Sequence, residues 1–329
     1  MVRPARAGRG GLGSHAATRA RIAGSDLRAI ATGSFVPRGP GYAPALRLRR
    51  RLVALRGGEH AIVLAFAWSA GAGAVRIRVL ATGAPTSEDV ERAIDAGRRI
   101  AAVDDDPTEL VQRIRKHPVL GPLAHGDARI AQTPTVFESF AIGVIEQLVT
   151  GVEARDAIRR LWRVAGEAVA GTKLVAAPSA KAVHRVPMWQ LHEIGIGARR
   201  AVTLHRGAGR GAALERLRDV APEVAVEKVQ SVPGIGPWTA NQIARSGLGW
   251  ADAVPVGDFW APFTITAALS GEELPRTAPA EADARMLELL EPFRPHRARV
   301  AILLERRDFE RRTWPLPRVD PHRREPWRY

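Results

Sequence analysis

Residues 226–262 read VEKVQSVPGIGPWTANQIARSGLGWADAVPVGDFWAP, from Val226 to Pro262. Apolar residues keep a helical spacing over Glu223–Val232, and Pro233-Gly234-Ile235-Gly236 interrupts it. A helical pattern then resumes over Pro237–Ser246, with proline at its first position. The spacing predicts two helices joined by a tight turn. Glycine tolerates positive φ and leaves the neighbouring amides unshielded, so successive N–H groups can converge on one anion where the second helix begins. Past that helix, Asp258 places a carboxylate on a loop bounded by glycine and proline. Two core helices can be joined by such a turn in any helical protein, so the turn alone assigns no chemistry.

Outward from this stretch, the bulk composition narrows the classes. The chain has 329 residues and no cysteine. Its length suits two domains, and the missing thiols exclude disulfides and a four-cysteine iron–sulfur cluster. No apolar run reaches membrane-spanning length and the N-terminus lacks a secretory apolar segment, so a soluble, cytoplasmic protein is expected. The net charge is +15. Residues 1–56 hold 12 Lys/Arg against one acid and residues 306–329 hold 8 Arg against 4 acids, which leaves residues 57–305 balanced at 29 against 29. The excess sits in the two ends. Such arms either add salt-sensitive attraction to a polyanion or keep the chain soluble.

Residues 1–24 are rich in Gly, Ala and Arg without apolar period and are expected to be disordered. A strand is expected over 46–55. Ala61–Trp68 and Ala74–Leu80 flank a Ser/Ala/Gly turn as a hairpin. Thr86 with Asp89 opens one helix, and Asp106-Pro107-Thr108-Glu109 opens another. Residues 40–127 therefore form a small α+β unit with an antiparallel sheet. The run Asp104–Asp106 suits helix capping better than metal binding. From 128 to 308 the pattern is helical, with Phe137–Val149 as a central core helix, and 309–329 form a basic irregular tail.

The apolar residue before Pro233-Gly234-Ile235-Gly236, Thr239-Ala240 after it and the downstream Asp258 together resemble the helix-hairpin-helix DNA glycosylases. The AlkA-type 3-methyladenine DNA glycosylases are the nearest pattern within that superfamily. The resemblance spans about 86–305 and is firmest over 226–262. It implies an α+β N-terminal domain followed by an all-helical glycosylase domain.

What the resemblance implies for function is specific. A monofunctional base-excision-repair enzyme would hydrolyse the N-glycosidic bond of an alkylated purine flipped from duplex DNA. Asp258 would stabilise positive charge growing on the sugar; it also suits the N-cap of the helix that follows. Amides of Gly234, Gly236 and Thr239 would hold a DNA phosphate. Backbone carbonyls of Gln230, Val232 and Gly234 would hold a structural Na+ or K+, and no other cofactor is required. Gln147 and Leu148 match the pair that points into the DNA gap, although a core leucine is the plain alternative. Bifunctional relatives carry a lysine where this chain has Trp238, and no lysine follows Lys228, so no lyase step is expected. Trp238, Gln242 and His296 match the base-pocket positions, the last two departing from the aromatic side chains common there. The implied partner is damaged duplex DNA, met by a monomer at the nucleoid. The alternatives are a non-catalytic helix-hairpin-helix binder of damaged DNA, or a glycosylase for deaminated or oxidised bases.

Overall fold

The computed structural model describes residues 27–37, 51–57, 60–69, 73–124 and 128–311. The expected tail 1–24, residues 46–50 of the expected strand, turn residues 70–72 and residues 312–329 of the expected C-terminal tail lie outside the described residues.

In chain order the elements are β1 (Arg28–Phe35), β2 (Arg51–Gly57), β3 (His60–Ser69), β4 (Ala74–Ala81), α1 (Ser87–Ile100), α2 (Thr108–Ile114), α3 (Val136–Ile145), α4 (Gly151–Ala165), β5 (Glu167–Ala168) and β6 (Val175–Ala176). They continue as α5 (Ala180–His184), α6 (Met188–Glu193), α7 (Ala198–Ala208), α8 (Gly211–Glu215), α9 (Pro222–Gln230), α10 (Pro237–Ile243), α11 (Ala261–Ser270), α12 (Pro279–Leu290) and α13 (Arg297–Arg311). The last helix runs into the stretch expected to be irregular. Among the described residues no helix is long and apolar enough to cross a membrane.

The first four strands form an antiparallel sheet in the order β1-β4-β3-β2. The β3–β4 hairpin is the expected one, whereas β1 extends the sheet upstream of residue 40. Leu64 faces Val79 and Phe66 faces Ile77 across the hairpin, and this face packs on Ala93, Ile94 and Ile100 of α1. Val63 and Leu80 point the other way, onto Leu27, Ala54, Val169 just after β5 and Ala176 of β6. Burial of both faces explains why Ile62–Phe66 is a continuous apolar run instead of an alternating one.

Helix α1 opens on the expected capping box between Thr86 and Asp89. The sequence reading grouped α2 with the sheet, but its Leu110, Val111 and Ile114 pack with Ile265, Met286, Leu290 and Val300 of the C-terminal helices. The helical core therefore starts well before residue 128. Between α1 and α2 each aspartate has its own structural task. Asp104 takes the Arg98 guanidinium at 2.5 Å, Asp105 takes Arg299 at 2.6 Å, and Asp106 accepts the Thr108 amide at 2.9 Å.

Helix α3 is central, with Phe140, Val144 and Ile145 packed among Leu161, Leu204, Ile235 and Ile243. It stops at Ile145, short of the expected Val149. A buried ion pair fixes the start of α13: Arg297 donates to both oxygens of Asp252, at 2.9 and 2.6 Å.

Candidate active site

The turn between α9 and α10 has the predicted form. Val232 and Ile235 are buried, and the Ile235 amide donates to the Val232 carbonyl at 3.0 Å. Gly234 has φ +98°, and a Cβ there would lie 2.1 Å from Thr203 Oγ1, so only glycine fits. Gly236, by contrast, has open space where its Cβ would be and is the N-cap of α10. No side chain caps this helix start among the described residues, and the first amides of a helix have no partner within it. Gln230, Val232 and Gly234 present carbonyls around the same turn. Val232 already accepts from Ile235 and Gly234 accepts from Gln147 Nε2 at 3.0 Å. A carbonyl has two lone pairs, so these bonds leave both carbonyls able to accept again.

Next to the hairpin lies the end of α3. Leu148 has φ +52° and is 94% exposed. A leucine held left-handed in solvent gains nothing from burial and carries backbone strain, which argues against the core reading. Gln147 does not project beside it. Its Nε2 donates to the Gly234 carbonyl and to Thr239 Oγ1 at 2.8 Å, so it braces the leucine against the hairpin. The Thr239 side chain is thereby occupied, and the residue as a whole is buried. Arg200, which the sequence reading missed, donates to the Ile145 carbonyl at 2.6 Å and to the Gly195 carbonyl at 3.2 Å. It closes the end of α3 where the chain turns. Burial lowers its pKa.

Asp258 is held by three donors. Its Oδ2 accepts from Trp238 Nε1 at 2.9 Å, and its Oδ1 accepts from the amides of Trp260 and Ala261 at 2.7 and 2.8 Å. The N-cap of α11 is Trp260, not Asp258 as expected, because the helix starts only at Ala261; the carboxylate instead ties the turn before α11 to the hairpin helix. Two further carboxylates surround it. Asp283 accepts the Gly257 amide at 3.0 Å, and burial followed by the charge of Asp258 raises its pKa despite that bond. Glu305 on α13 is likewise pushed up, by burial first and by Asp258. Phe259 and Trp260 flank Asp258 as exposed rings, with the Arg276 guanidinium 4.0 Å from the Trp260 centroid.

The predicted pocket residues divide. Trp238 and Gln242 are half-buried on one face of α10, but His296 is turned to α2, its Nε2 3.3 Å from Glu109 Oε2. No ring contact joins His296 to Trp238 among the described residues. The cavity of about 470 Å³ lined by Ala54, Ile62, Ala93, Phe137 and Ala180 lies between the sheet and the helices, away from Asp258.

A small antiparallel sheet leading into helices built around a hairpin is a fold that this chain shares with solved DNA glycosylases. The chain is similar in structure to the 3-methyladenine DNA glycosylase of Archaeoglobus fulgidus, with 23% identity, a TM-score of 0.62, and coverage of 80% of this chain and 88% of that one. It is also similar to the 8-oxoguanine glycosylase/lyase of Clostridium acetobutylicum in complex with double-stranded DNA containing cytosine opposite 8-oxoguanine. There the identity is 15% and the TM-score 0.57, covering 78% of this chain and 88% of that one. No protein-family model and no curated protein sequence matches the chain.

Proposed function

We propose that the chain is a monofunctional DNA glycosylase that hydrolyses the N-glycosidic bond of an alkylated purine turned out of duplex DNA. The observation that carries this reading is Asp258, fixed by three donors and joined through Trp238 to the hairpin helix. Departure of the base builds positive charge on the deoxyribose, and a carboxylate already oriented stabilises that charge without reorganising. It also aligns a water for attack at C1′. Leu148 would fill the gap left by the flipped nucleotide. The amides of Gly234, Gly236 and Thr239 would hold a phosphate, with Na+ or K+ on the carbonyls of Gln230, Val232 and Gly234 adding a purely structural charge.

Trp238 occupies the place where a Schiff-base lysine would stand, and its indole N–H is committed to Asp258. Hydrolysis that leaves an intact abasic strand follows. The enzyme acts as a monomer in base-excision repair at the nucleoid. The alkylated-purine substrate rests on the resemblance to the AlkA type. A second reading, a deaminated or oxidised base, is supported by Gln242 and by His296 being turned to Glu109, which leave this side of the site less aromatic.

Single-turnover base release from alkylated duplex DNA, wild type beside Asp258→Asn, tests the proposal. Release by wild type, lowered at least about 100-fold in the variant, with strand breaks only after alkali, is expected. Equal inactivity with DNA binding intact would favour a non-catalytic binder, and breaks without alkali would refute the monofunctional reading.

A further inference from the structure

We propose that Gln242, Arg245 and Glu305 form a hydrogen-bonding wall that reads the edge of the extruded base and selects 6-oxopurines over 6-aminopurines. The inference rests on the glycosylase reading and names the substrate class for the same site. Trp238, Gln242 and Arg245 stand at i, i+4 and i+7 of one helical run and share a face. Helix α10 continues into a wider π turn over Ala244–Leu248, which carries Arg245; such turns recur at functional sites. At one end of the stripe Trp238 touches Asp258 at 2.9 Å. At the other, Arg245 Nη1 faces Glu305 Oε2 of α13 at 3.9 Å. The rise from Trp238 to Arg245 is about 10 Å, which matches the length of a purine nucleoside laid along this face with its sugar at Asp258.

These side chains are polar, and the Arg245 charge faces two carboxylates, Glu305 and Glu146. Among the described residues the Gln242 amide, the Arg245 guanidinium and the Glu305 carboxylate make no hydrogen bond, and 3.9 Å is too long for one between the last two. The Arg245 and Glu305 side chains are 20% and 38% exposed, shielded from bulk water yet open to a ligand. A polar group so placed gains most from a partner that arrives with the substrate.

The donor and acceptor types choose that partner. A guanidinium pairs with O6 and N7 of a guanine-type base, and a carboxylate accepts the adjacent N1–H. A 6-aminopurine presents the reverse, an N6–H₂ donor toward the guanidinium and a bare N1 toward the carboxylate. The Gln242 amide accommodates either, so discrimination falls to Arg245 and Glu305. Hypoxanthine offers the full O6, N7 and N1–H set; among alkylated purines 7-methylguanine, whose methylated N7 takes no bond, keeps only O6 for Arg245 and N1–H for Glu305, and on these two contacts the wall favours it over 3-methyladenine.

The test pairs calorimetric binding of free hypoxanthine and free adenine with single-turnover release of hypoxanthine, 7-methylguanine and 3-methyladenine from single-lesion duplexes. Hypoxanthine is expected to bind at least about tenfold more tightly than adenine, and the 6-oxopurine lesions to be released faster by a similar factor. Arg245→Gln and Glu305→Gln should each collapse the ratio toward one; Arg245→Lys and Glu305→Asp serve where a neutral variant fails to fold. Adenine binding as well as hypoxanthine, 3-methyladenine released fastest, or a preference unchanged in both variants would overturn the selection. Selective hypoxanthine binding with no base release from any duplex would instead refute the glycosylase reading and leave the selection standing.

Discussion

Gln147 holds the hairpin with both protons of one amide nitrogen: Nε2 donates to the Gly234 carbonyl at 3.0 Å and to Thr239 Oγ1 at 2.8 Å. The exposed leucine that follows it is thus tied to the turn through a side chain, across a large separation in sequence. Leu148 keeps a fixed offset from the hairpin.

Gln147→Ala should therefore hurt function more than folding. Loss of two hydrogen bonds costs about 1–3 kcal/mol. Misplacement of Leu148 should lower single-turnover base release by about 10- to 100-fold, since small displacements of positioning groups have effects of that size. Chemical denaturation and base release measured on the same protein check this. A stability loss without any change in release would remove Gln147 from the machinery.

Leu148→Asn separates strain from burial. Asparagine tolerates the left-handed region better than leucine does, and at 94% exposure there is almost no packing to lose. The unfolding free energy should stay within about 0.5 kcal/mol of wild type or rise. Binding to duplex containing an abasic-site analogue should weaken. If the variant loses several kcal/mol, the leucine is packed after all.

Some of this was legible in the sequence, for local reasons. Gly234 announces itself because a Pro-Gly-Ile-Gly turn between two helical runs needs a residue that tolerates positive φ, and Asp258 stands out on a loop bounded by glycine and proline, its role coming through resemblance. Gln147 and Leu148 were visible only through resemblance, since a Gln-Leu pair at a helix end carries no periodic signal. Arg200 reaching the Ile145 carbonyl, and Arg245 facing Glu305, join residues far apart in the chain, and one sequence holds no trace of such pairings. His296 misled because its position in the Pro-His-Arg run was matched, while the direction of its ring is set by Glu109 on α2, a helix the sequence reading had grouped with the sheet.

Glu146 closes α3 in a half-buried site. Its pKa is raised, by burial first, against the opposing charges of Arg245 and Arg155. The folded state then binds the proton more tightly than the unfolded state, so stability falls as pH rises from the ordinary glutamate range through the folded value. Glu146→Gln should remove that slope. The variant should be more stable than wild type at pH 7 and no more stable at pH 4. Urea midpoints across this range check it, and an unchanged slope would show that Glu146 is not the group responsible.

Asp252 tests how α13 is held. It is 3% exposed and accepts Arg297 Nε and Nη2 at 2.9 and 2.6 Å, together with the Arg297 amide at 3.2 Å. Removing one member of a buried pair strands the other charge, a loss of about 3–5 kcal/mol. Asp252→Ala should show that loss in urea unfolding, because Arg297 at 10% side-chain exposure keeps, among the described residues, only Glu291 for a partner, at 3.1 Å. Asp252→Ala with Arg297→Met should recover much of it, since an apolar pair of similar volume needs no desolvated charge. The helix that carries Glu305 begins at this pair. In the single variant, discrimination between 6-oxopurine and 6-aminopurine lesions should therefore weaken with stability, and the double variant should restore both together. Restored stability without restored discrimination would mean that the start of α13 does not set the position of Glu305.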